Sequence, residues 1–341
     1  MVSPFDIEEI FPDTAAEPVR LPRRQTGGSP QGLAVTLITD YTLRTRAWLP
    51  TAAIVALLGD FDVTTGAART TISRLARRGV LEGSRQGRHS SYRLTLAAAA
   101  NLSLGGMTVA AYAAHPDIWD GSWTLVIFTL PKEESIRRST LRTHLRWLGF
   151  APLYDGVWVS PNPLTIKERA ELPAVTPGTI TAFRAQHLEL TAGGTRNPID
   201  AWDIAGIAEQ YDRFIQRWEP LLPDLRTGSV TGAAAVRARA EVMDTYRRFP
   251  ALDPLLPSEL MPPDWPRARA RELFRTVYDH LAEPAQEHVR AVVAQTVEGP
   301  HLDIRAHTVA EMSLGIRPLH PDDGPGEDPA PTGTASSGAV R

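Results

Sequence analysis

The chain has no cysteine, which excludes disulfide frameworks and thiolate metal sites and fits a reducing compartment. Lysine is nearly missing too: of 36 basic residues only Lys132 and Lys167 are lysines, and the rest are arginines. Such a bias devalues any single arginine cluster, so a basic patch has to be judged against the chain's own average. No run of eighteen apolar residues occurs, so no membrane-spanning helix is expected. The first residues, MVSPFDIEEIF, are acidic rather than basic-then-apolar, so they do not read as a secretory signal, and the expected location is the cytoplasm.

What is present suits a multidomain globular protein: 341 residues, 43% of them hydrophobic, and a formal net charge of −3. Residues 1–30 and 317–341 are rich in Pro, Gly and charge without apolar periodicity, and read as disordered tails. Three blocks lie between them, at 31–97, 98–195 and 196–316.

In the first block Leu33, Leu37 and Ile38, and then Ile54, Leu57 and Leu58, follow helical spacing. Asp62-Val63-Thr64-Thr65 offers N-cap residues for a third helix over about 65–78, and Gly79 stands where a helix ends. A strand from Val80, a tight turn at Gln86-Gly87 and a strand from His89 follow. Three helices and then a hairpin is the order of a winged helix-turn-helix. Ala68, Ile72, Leu75 and Ala76 form the packed face of the third helix, whereas Arg69, Thr70, Ser73, Arg74 and Arg77 lie opposite. Arginine bridges guanine edges or clamps phosphate, and hydroxyls serve either purpose. Arg85, Arg88 and His89 fall at the hairpin tip, suited to a neighbouring groove. Residues 64–95 hold seven arginines and one acid, Glu82, where the chain average gives roughly three of each. Codon bias does not delete acids, so this block is expected to bind double-stranded DNA.

The second block alternates strand and helix. Trp123–Leu130 is a buried strand, Glu133–Leu148 an amphipathic helix with Ile136, Leu141, Leu145 and Leu148 inward, and Gly156–Ser160 and Thr179–His187 are further strands. That order fits a ferredoxin-like sandwich with Trp147, Phe150 and Trp158 in its core. The third block is helical, over Ile199–Trp218, Gly232–Phe249, Pro266–Leu281 and Ala285–Glu298. The expected fold class is therefore α+β multidomain: an N-terminal winged helix-turn-helix, a central ferredoxin-like α/β domain and a helical C-terminal domain.

The stretches LARRGVLEGSRQGRHSSYRLT (75–95), DGSWTLVIFTLP (120–131), LRTHLRWLGFAPLYDGVWVSP (141–161), AWDIAGIAEQYDRFIQRWEPLL (201–222) and YRRFPALDPLLPSELMPPDWP (246–266) resemble the PaaX-type transcriptional regulators, named for control of phenylacetic acid degradation. The resemblance covers about residues 31–300. It implies a homodimeric repressor whose central domain is similar to the small nuclease of CRISPR spacer acquisition, and whose grip on operator DNA is relieved by a small acyl- or aryl-CoA-type metabolite.

An effector pocket is read from Trp202, Tyr211, Trp218 and Trp265, whose rings can stack a ligand, with Arg247 and Arg248 to pair a phosphate or carboxylate. The bland reading of residues 249–266 is a rigid proline-rich connection packing aromatics between helices. No enzyme motif stands out, and neither a metal nor a cofactor is expected. The alternative is a metal-dependent nuclease using Glu133 and Glu134, though both fit better as first-turn residues favoured by the helix dipole.

Overall fold

Ser29 starts the described chain by accepting the Gly32 N–H at 3.1 Å, and Pro30 takes the first helical position, where a missing N–H costs nothing. The computed structural model describes residues 29–87, 89–114, 119–130, 132–175, 180–188, 196–297 and 301–319. Of the tails read at 1–30 and 317–341, residues 1–28 and 320–341 lie outside the described residues; Ser29 and Pro30 are described at the start of a helix, and Arg317–Leu319 is described too, with the Leu319 N–H bonded to the Arg44 carbonyl at 2.7 Å.

The first unit runs α1 (Pro30–Thr42), β1 (Leu49–Pro50), α2 (Thr51–Gly59), α3 (Thr65–Arg77), β2 (Leu81–Gln86) and β3 (His89–Leu94). Its antiparallel sheet has the order β1-β3-β2, with Leu81 opposite Leu94 and Gln86 opposite His89. Leu37, Ile38, Ile54, Leu57, Leu58, Ile72 and Leu75 are buried, as their spacing predicts. Gly79 takes φ +73°, which turns the chain sharply out of α3.

The sequence reading passed over α4 (Leu96–Ala111). Most of its residues are Ala, Leu, Gly or Met and none is charged, so no strongly polar face marks a helical period. The small residues instead allow close packing: Met312 lies against Gly106, and Met107 against Gly315.

The central unit runs β4 (Trp123–Phe128), α5 (Ser135–Trp147), β5 (Ala151–Tyr154), β6 (Val157–Ser160), α6 (Ile166–Val175) and β7 (Ile180–Ala185). The sheet order is β5-β6-β4-β7 and every pairing is antiparallel. Val126, Phe128 and Trp158 pack on Leu141, Leu145 and Phe150; Trp123, Leu153 and Val159 form a second cluster. Ile136, expected inward, is instead 81% exposed. Five residues advance a helix by about 140° beyond a full turn, so Ile136 cannot share the stripe of Leu141 and Leu145. The Trp147 side chain lies outside the described residues.

The remaining helices are α7 (Ile204–Trp218), α8 (Leu222–Thr227), α9 (Gly232–Tyr246), α10 (Phe249–Leu252), α11 (Arg267–His280), α12 (Ala282–Ala294) and α13 (Val309–Leu314). The helix expected from Ile199 starts later because Asp203 caps it, accepting the Gly206 N–H at 2.9 Å after a 3-10 turn at Pro198–Ala201.

The first and last units share one core. Leu37 and Ile38 of α1 belong to the same buried cluster as Tyr246, Phe274 and Met312, while the central sheet keeps its own two clusters. Arg239 of α9, 0% exposed, sits at that joint and donates to the carbonyls of Tyr278 and His307.

Candidate nucleic-acid interface

Thr64 positions the arginine-bearing helix by accepting the Ala67 N–H at 3.3 Å, satisfying one free donor of the first turn of α3. Burying Ala68, Thr71, Ile72 and Leu75 then fixes the helix rotation. Arg69, Thr70, Ser73, Arg74 and Arg77 are consequently all exposed on the other side. Among the described residues, no ion pair involves Arg69, Arg74 or Arg77. Three uncompensated guanidinium groups on one helix face make a positive surface with free donors, able to take phosphate or base-edge acceptors. The Thr70 hydroxyl donates back to the Gly66 carbonyl at 2.9 Å and keeps its lone pairs as acceptors.

The hairpin presents Arg85 and His89, both exposed. Gly87, at φ +60°, closes the turn, and Arg85 Nε donates to its carbonyl at 3.3 Å. Arg88, the third predicted tip residue, lies outside the described residues.

Charge counting had missed the role of Glu82. Its Oε1 accepts from Arg46 and from Arg93, each at 2.6 Å, and Arg46 Nε also donates to the Leu94 carbonyl at 2.9 Å. Arg46 is buried, which lowers its pKa, and it needs the carboxylate beside it. Two arginines thus serve the hairpin base rather than the outer surface. The signal was available: a lone acid inside a basic segment usually has a partner to hold.

The predicted effector residues do not come together around one cavity. Tyr211 is fully buried, stacked on Phe249 at 4.2 Å with Trp265 edge-on at 6.1 Å. Its hydroxyl lies 2.7 Å from that of Tyr112 and donates to Asp253 at 2.8 Å. Trp218 is core, with its Nε1 bonded to Thr245 at 3.1 Å. Trp202 stands apart, stacked on Trp123 at 6.1 Å against the central sheet. Arg247 and Arg248 both bind Asp244, at 2.5 and 2.8 Å. Residues 249–266 therefore serve the packing role their prolines suggested.

Glu133 and Glu134 lie in a 3-10 turn ahead of α5, where Glu134 pairs with Arg137 at 3.4 Å. Among the described residues, no group of three or more His, Asp or Glu side chains is placed to hold a metal ion. Among them, too, no helix is long and apolar enough to cross a membrane.

With this geometry in place, comparison with known proteins decides the family. Three family models match, described as PaaX-like protein over residues 29–98, PaaX protein central Cas2-like domain over 116–195, and PaaX-like protein C-terminal domain over 202–291. The transcriptional repressor PaaX of Escherichia coli (strain K12) is 30% identical over 253 residues, covering 70% of this chain and 75% of that protein. The chain belongs to the PaaX family. The resemblance read from five sequence stretches is thus borne out. The relative is named as a transcriptional repressor. Among solved structures, uncharacterized protein Rv0674 from Mycobacterium tuberculosis aligns with a TM-score of 0.50 at 23% identity, over 75% of this chain and 96% of that one. That second likeness concerns the fold alone.

Proposed function

We propose that this PaaX-family chain is a transcriptional repressor that holds operator DNA with a winged helix-turn-helix. In this reading α3 is the recognition helix and the β2–β3 hairpin is the wing. The observation that carries it is the face of Arg69, Thr70, Ser73, Arg74 and Arg77, exposed opposite a buried face, with no ion pair at its arginines among the described residues. In this reading Arg85 and His89, exposed on the hairpin, and Arg88, expected there from sequence, reach an adjacent groove or backbone. Phosphate contacts of this kind release counterions, so affinity falls steeply as salt rises.

The central unit is read as ferredoxin-like. Support comes from its strand-helix-strand-strand-helix-strand order and the antiparallel β5-β6-β4-β7 sheet. A homodimer on a partly palindromic operator, in the cytoplasm, completes the reading. The small acyl- or aryl-CoA-type effector rests on the family resemblance and not on Trp202, Tyr211, Arg247, Arg248 and Trp265 as a set. No observation favours the nuclease alternative.

The test is selection of genomic DNA fragments by the purified full-length protein, followed by salt titration of the recovered fragments. Recovery of a common sequence, bound more weakly at each higher salt concentration, is expected. A protein that retains no fragment above background contradicts the reading.

A further inference from the structure

The connection from α2 into α3 is fixed from outside its own unit. Asp60 follows the last residue of α2, at the negative end of that helix, where a carboxylate is electrostatically misplaced. Two basic side chains of the C-terminal unit meet it there. His288 of α12 donates from Nε2 to the Asp60 carboxylate at 2.9 Å, and Arg237 of α9 donates from Nη1 to the Asp60 carbonyl at 2.9 Å. The His288 and Asp60 side chains are 21% and 24% exposed, so their contact is partly shielded from water. Two residues further on, Asp62 adopts φ +62°, a left-handed turn conformation that aspartate tolerates better than most non-glycine residues. Backbone bonds from Phe61 and Val63 to the Leu58 carbonyl, at 3.1 and 3.2 Å, complete the turn, and Thr64 then caps α3.

We infer that His288 and Arg237 are positioning residues for DNA recognition: through Asp60 they hold the turn that aims α3. Neither belongs to the arginine face of α3, and they reach the reading head from more than 170 positions away in the chain. The shared core supplies the bulk of the attachment between the two units. This pair holds the turn that leads into α3, so a movement of α9 or α12 against that turn reaches α3 through Asp60. The inference rests on the reading of α3 as the recognition helix.

The experiment measures binding of full-length variants to the strongest genomic fragment recovered by the wild-type protein, across a salt series, alongside thermal melting. His288→Ala is expected to weaken binding roughly tenfold, the scale of one partly buried charge-assisted hydrogen bond, with the salt slope unchanged. His288→Gln keeps a donor near the Nε2 position and restores most of the affinity. In an Asp60→Ala background, His288→Ala has no further effect on binding. If His288→Ala lowers the melting temperature, the Gln variant and the Asp60 background still decide the matter. Unchanged affinity in His288→Ala, a salt slope reduced by about one unit (a direct phosphate contact), or failure of glutamine to restore binding overturns the inference. Should the wild-type protein retain no DNA at all, it is the reading of α3 that fails.

Discussion

Tyr278 of α11 donates its hydroxyl to the Asp40 carboxylate of α1 at 3.0 Å, joining the C-terminal helical unit to the first unit where both residues are buried. His307 Nε2 lies 3.0 Å from the same hydroxyl, and the guanidinium of Arg239 sits 3.6 Å over the Tyr278 ring. This polar knot explains how the first and third units share a core yet keep a single relative orientation. Apolar contact alone tolerates sliding, whereas buried hydrogen bonds do not.

The knot makes stability depend on pH in a way that can be separated by mutation. Burial raises the Asp40 carboxyl to about 6 from 3.8 and lowers His307 to about 3 from 6.5. Asp40 therefore keeps its proton in the folded state at pH values where the unfolded chain has released it, and its contribution falls as pH rises from about 4 to 6. His307 works the other way: the unfolded chain takes up a proton below about 6.5 and the folded state does not, so its contribution is lost as pH falls from there toward 3. Between about pH 4 and 6 the two groups oppose each other and largely cancel, so the native protein shows little pH dependence from this knot. Denaturant midpoints across that range are expected to rise with pH in Asp40→Asn and to fall with pH in His307→Gln. Parallel pH profiles for all three proteins contradict this assignment.

Asp253 is buried and bound by Arg267 through two bonds of 2.7 and 2.9 Å, with further bonds from Tyr211 at 2.8 Å and the Leu255 N–H at 2.9 Å. Arg267→Met strands that carboxylate without its cation, and the expected loss is about 3–5 kcal/mol. A urea titration reads it, and a loss under about 1 kcal/mol contradicts the proposed role of the pair.

Thr64→Ala removes the cap of α3 without touching its arginine face. The expected cost is about 1 kcal/mol of stability, together with weaker DNA binding as the first turn frays. Circular dichroism melts and a binding titration check the two effects; a change in neither argues that the cap is idle.

Much of this organisation is legible from sequence because local chemistry decides it. Thr64, Gly79 and the stripe Ala68, Ile72 and Leu75 delimit α3 through capping, a left-handed exit and burial, all of which act within a few residues. The features that escaped depend on distant partners. Helix α4 has no strongly polar face to betray its period because α13 covers it from some 200 residues away. Trp202 and Tyr211 are nine positions apart, yet one packs on the central sheet and the other in the helical core. The pairing of Glu82 with Arg46 and Arg93, and of Asp60 with His288, joins residues that no periodicity relates. Arginines on a surface look alike in sequence, and only the fold shows which ones are already paired.

The central claim is that the free arginines of α3 grip DNA, and equilibrium binding of the Arg74→Ala/Arg77→Ala double variant tests it most directly. With the melting temperature unchanged, the account predicts loss of specific binding to the fragment selected by the wild-type protein, and a salt slope lowered by up to about two units for any residual binding. Binding at wild-type strength by that folded variant contradicts the account.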